Sequence, residues 1–237
     1  MAGRVTVDGA PATKAGMPVG PDAQVDVSQP PRFVSRGGEK LESALAAFDV
    51  HVAGQRCLDV GASTGGFTDC LLQAGAAAVI ALDVGRAQLH ERIRGDGRVT
   101  VIEGVNARAL DPASLPYAAS LCVIDVSFIS LGLVLPSAVL CLHHPATVLP
   151  LVKPQFEAGR QEARRGVVRD PDVHLSVLRR IAAIAEATGL CVLDAAPSAL
   201  PGPAGNREFF LHLVTPDHPH ASRAPADHDQ LLVHAAA

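Results

Sequence analysis

Four charged residues, two basic and two acidic, stand out in the sequence, and three of them lie where apolar stretches begin or end. Asp125 closes one apolar run, Lys153 closes the next, and Glu208 comes just before the last. Lys40 lies in an amphipathic stretch upstream. A charged group that closes a buried strand usually serves a ligand or a partner charge. Two amines and two carboxylates around one cleft could hold a hydroxyl group and remove its proton.

Each of the four residues also has an ordinary structural explanation. Lys40 could lie on a solvated helix face, Lys153 and Glu208 could form a structural ion pair, and Asp125 could cap a helix. We favour the chemical interpretation because the four together are more specific than any one of them. Proton removal from a ribose hydroxyl is a reaction that this set suits.

A glycine-rich loop, Leu58 to Thr68, lies between a predicted strand and a predicted helix, where a doubly wound sheet binds a nucleotide. Phe67 follows Gly66 where a phosphate-binding loop would need Lys, so the loop does not predict ATP hydrolysis. The candidate ligand-binding residues of this loop are Asp59, Gly61, Ala62, Ser63, Thr64, Gly65, Gly66 and Phe67.

Asp83 ends the next predicted strand, where a carboxylate can accept hydrogen bonds from ribose hydroxyls. Enzymes that use NAD and enzymes that use S-adenosylmethionine share this arrangement. The glycines here read G-x-x-x-G-G rather than G-x-G-x-x-G, which favours the methyl donor over the dinucleotide. An ordinary tight turn with a surface Asp remains an alternative.

The hydrophobic pattern supplies a scaffold that could bring these residues together. Strands and helices alternate, which predicts a parallel sheet with helices on both faces. Only residues 197–207 separate the last two strands, so the last strand is predicted to be antiparallel. The fold class is therefore α/β, a doubly wound, Rossmann-like class I methyltransferase sheet of seven strands with a small β-rich N-terminal remnant. The predicted strands are 56–60, 79–83, 99–103, 121–125, 147–152, 190–195 and 209–214, and the predicted helices are 38–48, 67–73, 87–93, 133–142 and 173–187.

Composition sets limits on the function. The 237 residues are 48% hydrophobic and 19% charged, as in a globular protein, and no apolar run reaches the ~20 residues of a membrane-spanning helix. The five cysteines have no metal-binding spacing, and the N-terminus does not resemble a secretory signal. We therefore expect a cytoplasmic protein that binds neither a metal nor a membrane.

The net charge of −4 argues against non-specific wrapping of nucleic acid, but one segment is basic. Residues 153–180 contain seven Lys and Arg against four acidic residues. Within them, residues 155–168 are predicted to form a mobile basic loop that becomes ordered on RNA. A solvated loop without a ligand is the alternative.

Five segments of the sequence together resemble one family. From Phe33 to about Val214, the chain resembles the TlyA family, also called hemolysin A, of FtsJ-like ribosomal RNA 2′-O-methyltransferases. The matching segments are VSRGGEKL at 34–41, LDVGASTGGFT at 58–68, DVSFISL at 125–131, LVKPQFE at 151–157 and LPGPAGNRE at 200–208.

The resemblance implies a Lys-Asp-Lys-Glu catalytic tetrad at Lys40, Asp125, Lys153 and Glu208. It implies S-adenosylmethionine as donor, bound in part by Asp125 and by Asn106 near the adenine. The acceptor would be the ribose 2′-hydroxyl of cytidine in the RNA of the ribosomal subunits, and we expect the enzyme to act as a monomer. The candidate RNA-binding residues are Arg32, Arg36, Arg160, Arg164 and Arg165.

The predicted domains are a partial RNA-binding module at 1–30, a linker at 31–35, the methyltransferase domain at 36–215 and a disordered tail at 216–237. Relative to the family pattern, the basic first helices of the module are missing, and Pro31–Val34 keeps only the aromatic residue and the valine of the usual linker. We therefore expect weak RNA methylation by this chain and a gain from an upstream extension. A membrane-active hemolysin, an RNA-binding protein without catalysis and a nicotinamide dehydrogenase are the alternative functions.

Overall fold

The computed structural model describes residues 5–14, 16–29, 31–159, 162–163, 166–225 and 227–237. The chain divides into two compact units, Met1–Arg32 and Phe33–Ala237. The first unit contains a three-stranded antiparallel sheet in the order β2-β1-β3. Its strands are β1 Val5–Val7, β2 Ala10–Pro11 and β3 Val25–Val27, in agreement with the few short strands that the sequence predicts there.

The second unit is built on a seven-stranded sheet in the order β6-β5-β4-β7-β8-β10-β9. Neighbouring strands from β6 to β8 run parallel, whereas β10 is antiparallel to both β8 and β9. The predicted doubly wound methyltransferase sheet with its antiparallel last strand is therefore confirmed. The strands are β4 Arg56–Val60, β5 Ala78–Asp83, β6 Val99–Glu103, β7 Ala119–Ile124, β8 Leu142–Val152, β9 Cys191–Pro197 and β10 Phe209–Val214.

Helices cover both faces of this sheet, and successive residues of a strand point into two separate cores. In β7, for example, Leu121 and Val123 belong to one core and Cys122 and Ile124 to the other. None of the helices in the described residues is long and apolar enough to cross a membrane. The helices are α1 Gly37–Ala47, α2 Gly66–Gln73, α3 Glu91–Arg94, α4 Leu131–Leu140, α5 Pro154–Glu157, α6 Pro171–Ala187 and α7 Asp229–Ala236.

The boundaries of several elements shift by a few residues, and two of the predicted helices differ in a way that has a clear cause. The helix predicted at 87–93 is only the single turn α3, because Ala87 has a φ of 55° and the His90 side chain caps the turn by accepting the Arg92 N–H. The helix predicted at 133–142 ends at Leu140, and β8 begins at Leu142, where it pairs with β7. Residues 138–142, AVLCL, are all apolar, so the sequence does not mark the change from helix to strand.

The two ends of the predicted methyltransferase domain also differ from the structure. Phe33, predicted to lie in a linker, is buried and belongs to the second unit. The tail predicted to be disordered contains α7, which packs through the fully buried Leu232. Arg179 on α6 forms two hydrogen bonds with Asp229 of α7, at 2.5 and 2.7 Å. Only the last turns of the tail carry a helical apolar pattern, and the polar residues before them obscured it.

Candidate active site

The carboxyl edge of the parallel strands brings the four charged residues together. Asp125 directly follows β7 and Lys153 directly follows β8. Glu208 directly precedes β10, and because that strand is antiparallel its beginning lies at the same edge. Lys40 reaches this edge from α1. All four residues line one cavity of about 760 Å³.

Lys40 and Glu208 form the buried half of this polar centre. The Lys40 Nζ lies 2.5 Å from a carboxylate oxygen of Glu208, and the two side chains are only 9% and 0% exposed. The other carboxylate oxygen of Glu208 accepts a hydrogen bond of 3.0 Å from the side-chain amide of Gln155. Neither charge has much contact with water, so each depends on the other.

Lys153 and Asp125 form the more open half. The Lys153 Nζ lies 2.5 Å from Asp125 Oδ1, as an ion pair without hydrogen-bond alignment. The same amine donates a hydrogen bond of 2.9 Å to Ser127 Oγ and lies 5.9 Å from the ring centre of Phe156. Because Asp125 is 24% exposed at the cavity, this pair is the one that an incoming hydroxyl can approach.

The glycine-rich loop adopts backbone angles that only some residues allow. Gly61 has a φ of 88°, and a Cβ atom there would overlap the carbonyl oxygen of Asp125. The N–H groups of Gly61 and Ala62 both bind the carbonyl oxygen of Leu82 in β5. Gly65 has a φ of 93° and precedes α2, with Leu89 packed where a Cβ atom would be. The loop is thereby fixed between β5 and the Asp125 backbone.

A second cavity, of about 570 Å³, adjoins the first and shares Gly61, Ser63 and Asp125 with it. Asp83 lines this cavity and accepts hydrogen bonds from the backbone N–H groups of Ser63, at 2.7 Å, and Gly85, at 2.6 Å. Asn106 also lines it, and its side chain accepts the Arg108 N–H. The exposed side chain of Val84 adds an apolar wall. Carboxylate, amide and apolar groups in this arrangement suit a nucleoside.

Most of the predicted ligand-binding residues line one of these cavities, but Asp59 and Gly65 line neither. Asp59 is fully buried beneath the loop, where one carboxylate oxygen accepts a 2.6 Å hydrogen bond from the Thr68 hydroxyl. Its other oxygen has no hydrogen-bond partner, and burial raises the pKa of Asp59 to about 7. Asp59 and Gly65 therefore stabilise the conformation of the loop without facing either cavity. The residues that do line a cavity are Gly61, Ala62, Ser63, Thr64, Gly66, Phe67, Asp83, Asn106 and Asp125.

Two of the five predicted RNA-binding arginines, Arg32 and Arg36, lie in the described residues. Arg36 is exposed at the first cavity and donates a 3.0 Å hydrogen bond to the Pro201 carbonyl. Arg32 is exposed in the N-terminal unit. Arg160, Arg164 and Arg165 lie outside the described residues. The first part of the predicted mobile loop is instead the helical turn α5, whose last residue, Glu157, is buried.

The sequence analysis missed an aromatic pair at the rim of the first cavity. Phe128 is 90% exposed and has a φ of 63°, which is unusual for a residue with a bulky side chain. Its ring lies 4.9 Å from that of Phe156, with 51° between the ring planes. The signal was present in the sequence, because Phe128 is an aromatic residue in a predicted loop three positions after Asp125.

Fold and site together define a class of protein. A doubly wound sheet whose last strand is antiparallel carries a nucleoside-sized cavity beside a centre of lysines and carboxylates, and this combination is that of a methyltransferase. In the described residues, no three His, Cys, Asp or Glu side chains cluster as metal ligands would. A family model of FtsJ-like methyltransferases matches residues 33–215, and the chain belongs to this family.

Individual relatives agree with the family. The chain is 47% identical to the 16S/23S rRNA (cytidine-2′-O)-methyltransferase TlyA of Mycobacterium tuberculosis strain H37Rv, over 90% of this chain and 81% of the relative. It is 38% identical to hemolysin A of Brachyspira hyodysenteriae, over 90% of both chains. The solved structure of a candidate hemolysin of Streptococcus thermophilus superimposes with a TM-score of 0.80 at 39% identity, over 99% of this chain and 86% of that one.

Proposed function

We propose that the protein transfers a methyl group from S-adenosylmethionine to the 2′-hydroxyl of a cytidine ribose in ribosomal RNA. The observation that carries this proposal is the Lys153–Asp125 pair, which stands at the junction of a nucleoside-sized cavity and a larger open one. The choice of cytidine in ribosomal RNA rests on the TlyA enzyme that is 47% identical to this chain.

The second cavity fits the nucleoside part of the donor. Asp83 uses each carboxylate oxygen on one backbone N–H, which leaves further lone pairs for ribose hydroxyls. Asn106 and Val84 supply a polar side chain and an apolar wall for the base. When bound, S-adenosylmethionine supplies a methyl group on a positively charged sulfur, which is a strong electrophile. Asp125 lines both cavities and could therefore contact both the methyl donor and the ribose that accepts the methyl group.

Lys153 is the residue to which we assign proton removal. In its neutral form the Nζ atom has a lone pair that can take the 2′-hydroxyl proton while the ribose oxygen forms its bond to the methyl carbon. The bond between the methyl carbon and the sulfur breaks as the bond to the ribose oxygen forms. The products are a 2′-O-methyl ribose, a Lys153 ammonium group and a donor remnant with a neutral thioether sulfur, so the single positive charge is conserved. Asp125 and Ser127 orient the amine toward the cavity. Aligning the two reactants contributes the rest of the rate.

Lys40 and Glu208 complete the proposed tetrad as a fixed wall of the acceptor cavity. Their mutual burial keeps both side chains in place, and Glu208 in turn orients the Gln155 amide. This wall leaves Lys153 as the lysine that can exchange its contact with Asp125 for a contact with substrate.

Phe128 is suited to stack against a base of the bound RNA. An aromatic ring that is exposed at a cavity rim offers a flat surface that any base can cover. Arg32, Arg36, Arg160, Arg164 and Arg165 are our candidates for phosphate contacts, in keeping with the positive excess of residues 153–180. As part of this proposal, residues 1–30 act as a partial RNA-binding module, and the enzyme works as a cytoplasmic monomer on ribosomal subunits.

The test is methyl transfer from labelled S-adenosylmethionine to purified small and large ribosomal subunits and to their free RNA. The modified nucleoside is identified by mass spectrometry after nuclease digestion, and 2′-O-methylcytidine is expected. Lys153→Arg is the matched variant, because it keeps the positive charge but cannot act as a base at neutral pH. It should bind the donor and transfer no methyl group.

Two results would count against this proposal. Methylation of a base instead of the ribose would contradict the assigned reaction. Substantial single-turnover transfer by Lys153→Arg would show that Lys153 only positions the substrate and that another group takes the proton.

A further inference from the structure

A buried carboxylate outside the tetrad joins the two chain segments that carry Lys153 and Asp125. Glu157 has a side chain that is 2% exposed and ends the helical turn α5, which begins directly after Lys153. One carboxylate oxygen accepts the backbone N–H of Leu131 at 2.7 Å, and the other accepts the Ser130 hydroxyl at 2.7 Å. Ser130 and Leu131 form the beginning of α4, at the end of the loop that starts with Asp125.

The connections between Glu157 and the catalytic pair are short and well ordered. In α5, the N–H of Phe156 binds the carbonyl oxygen of Lys153 at 2.9 Å, so the turn transmits its position directly to Lys153. On the other side, the loop from Asp125 to Ser130 spans only six residues. Glu157 therefore fixes the far ends of the two segments whose near ends place a lysine and a carboxylate 2.5 Å apart.

A third element holds the carboxylate itself. Arg180 of α6 contacts both the main-chain oxygen of Glu157 and, at 3.4 Å, its side chain. A buried carboxylate with a charged partner, a hydroxyl donor and a backbone donor is firmly placed, because loss of any of these contacts would leave a buried charge less well solvated.

We infer that Glu157 is a positioning residue of the methyl-transfer reaction, and that it acts by keeping the Lys153 amine next to the Asp125 carboxylate. This inference rests on the proposed function, since it assigns the pair a catalytic task. A simple role in capping α4 is the alternative. The two differ in what is lost when Glu157 is replaced: a cap contributes to stability alone, whereas a positioning residue also sets the rate of the chemical step.

The experiment compares Glu157→Ala and Glu157→Gln with Val79→Ala in the full chain. Val79 is buried near the beginning of β5, at the opposite edge of the sheet from the site, so its variant loses stability without touching the site. All rates are measured at a temperature where each variant is folded. Glu157→Ala should lower kcat at least tenfold and change the donor dissociation constant less than threefold, whereas Val79→Ala should keep the wild-type kcat.

Glu157→Gln is the conservative rescue. Its amide oxygen can still accept the Leu131 N–H, and its amide group can still meet the Ser130 hydroxyl, so at least half of the wild-type kcat should return. If Glu157→Ala does not fold, Glu157→Asp takes its place, because the shorter side chain cannot reach both partners and should also lose kcat.

A second readout does not depend on activity. Amide hydrogen exchange of residues 126–131 should become faster in Glu157→Ala and stay unchanged in Val79→Ala. A kcat of Glu157→Ala equal to that of Val79→Ala, or unchanged exchange in residues 126–131, would overturn the inference. If the wild-type enzyme transfers no methyl group to RNA, the proposed function fails, and the exchange measurement still decides whether Glu157 positions the Asp125 loop.

Discussion

The buried pair of Lys40 and Glu208 should be strongly coupled in stability and yet be replaceable without loss of the fold. The relevant perturbations are Lys40→Met, Glu208→Gln and the double variant. Methionine fills nearly the same space as the lysine stem, and glutamine can keep the hydrogen bond from Gln155. Each single variant therefore removes one charge and disturbs little else.

The magnitude follows from the burial of the pair. With the two side chains 9% and 0% exposed, either single variant leaves one charge without a partner and with little water, and breaking a buried pair in this way costs about 3–5 kcal/mol. The double variant leaves no unpaired charge, so it should cost less than either single variant and fall short of the sum of the single costs by at least about 3–5 kcal/mol.

Urea unfolding at neutral pH measures this coupling, and a second pair in the same protein serves as the control. Arg94 and Glu103 also form an ion pair, but their side chains are 41% and 21% exposed. Coupling there should be much weaker than at Lys40 and Glu208, because water and salt screen exposed charges. Equal coupling in both pairs, or additive effects at Lys40 and Glu208, would refute the argument from burial.

The same variants separate stability from chemistry. We expect the double variant to be more stable than either single variant and still inactive in methyl transfer to RNA. That outcome would mean that the buried charges are present for the reaction rather than for the fold. A double variant with wild-type turnover would remove Lys40 and Glu208 from the proposed catalytic tetrad.

Three further predictions concern single residues. Asp83→Ala should weaken donor binding in calorimetry by about tenfold or more, because hydrogen bonds to a charged group contribute roughly 1.5–3 kcal/mol, and an unchanged affinity would exclude Asp83 from the donor site. Phe128→Ala should raise the RNA dissociation constant about tenfold at fixed salt, since stacking contributes ~1–3 kcal/mol per base. Phe128→Trp should keep the wild-type RNA affinity. Equal RNA affinity of the two variants would contradict the stacking role. Burial raises the pKa of Asp59 from 3.8 to about 7, so the folded protein binds this proton more tightly than the unfolded chain does. The free energy of unfolding should therefore fall as the pH rises through this interval, by about 1.4 kcal/mol for each unit of pKa difference, and Asp59→Asn should abolish that part of the pH dependence; parallel pH profiles for the two proteins would refute it.

Some features could be predicted from the sequence because local pattern determines them. The alternation of strand and helix predicts the sheet, and the short connection before β10 predicts that this strand is antiparallel; the structure has both. Given that sheet, Asp125, Lys153 and Glu208 had to meet at one edge, and they do line one cavity. The assignment of chemical roles to these residues stays a prediction.

Other features depend on contacts between distant segments, which periodicity does not encode. Nothing in the sequence pairs Lys40 with Glu208 rather than with Asp125, because the choice is made by how α1 packs over the sheet. Glu157 was indistinguishable from an exposed loop acid until its backbone and hydroxyl donors were placed. Asp59 looked like a ligand-binding residue because it adjoins the glycines, although its strand position points it into the interior.

The distance along the chain between the two members of the buried pair affects when the enzyme can become active. Lys40 and Glu208 are 168 positions apart, and β10 has to insert between β8 and β9 before they can meet. The residues that line the donor cavity all lie between Gly61 and Val134, well before β10 in the sequence. Pairings between residues so far apart form late, because a long loop must close first. On the proposed function, methyl transfer would therefore need the last strand to pair, although no residue of that strand lines the cavity that we assign to the donor.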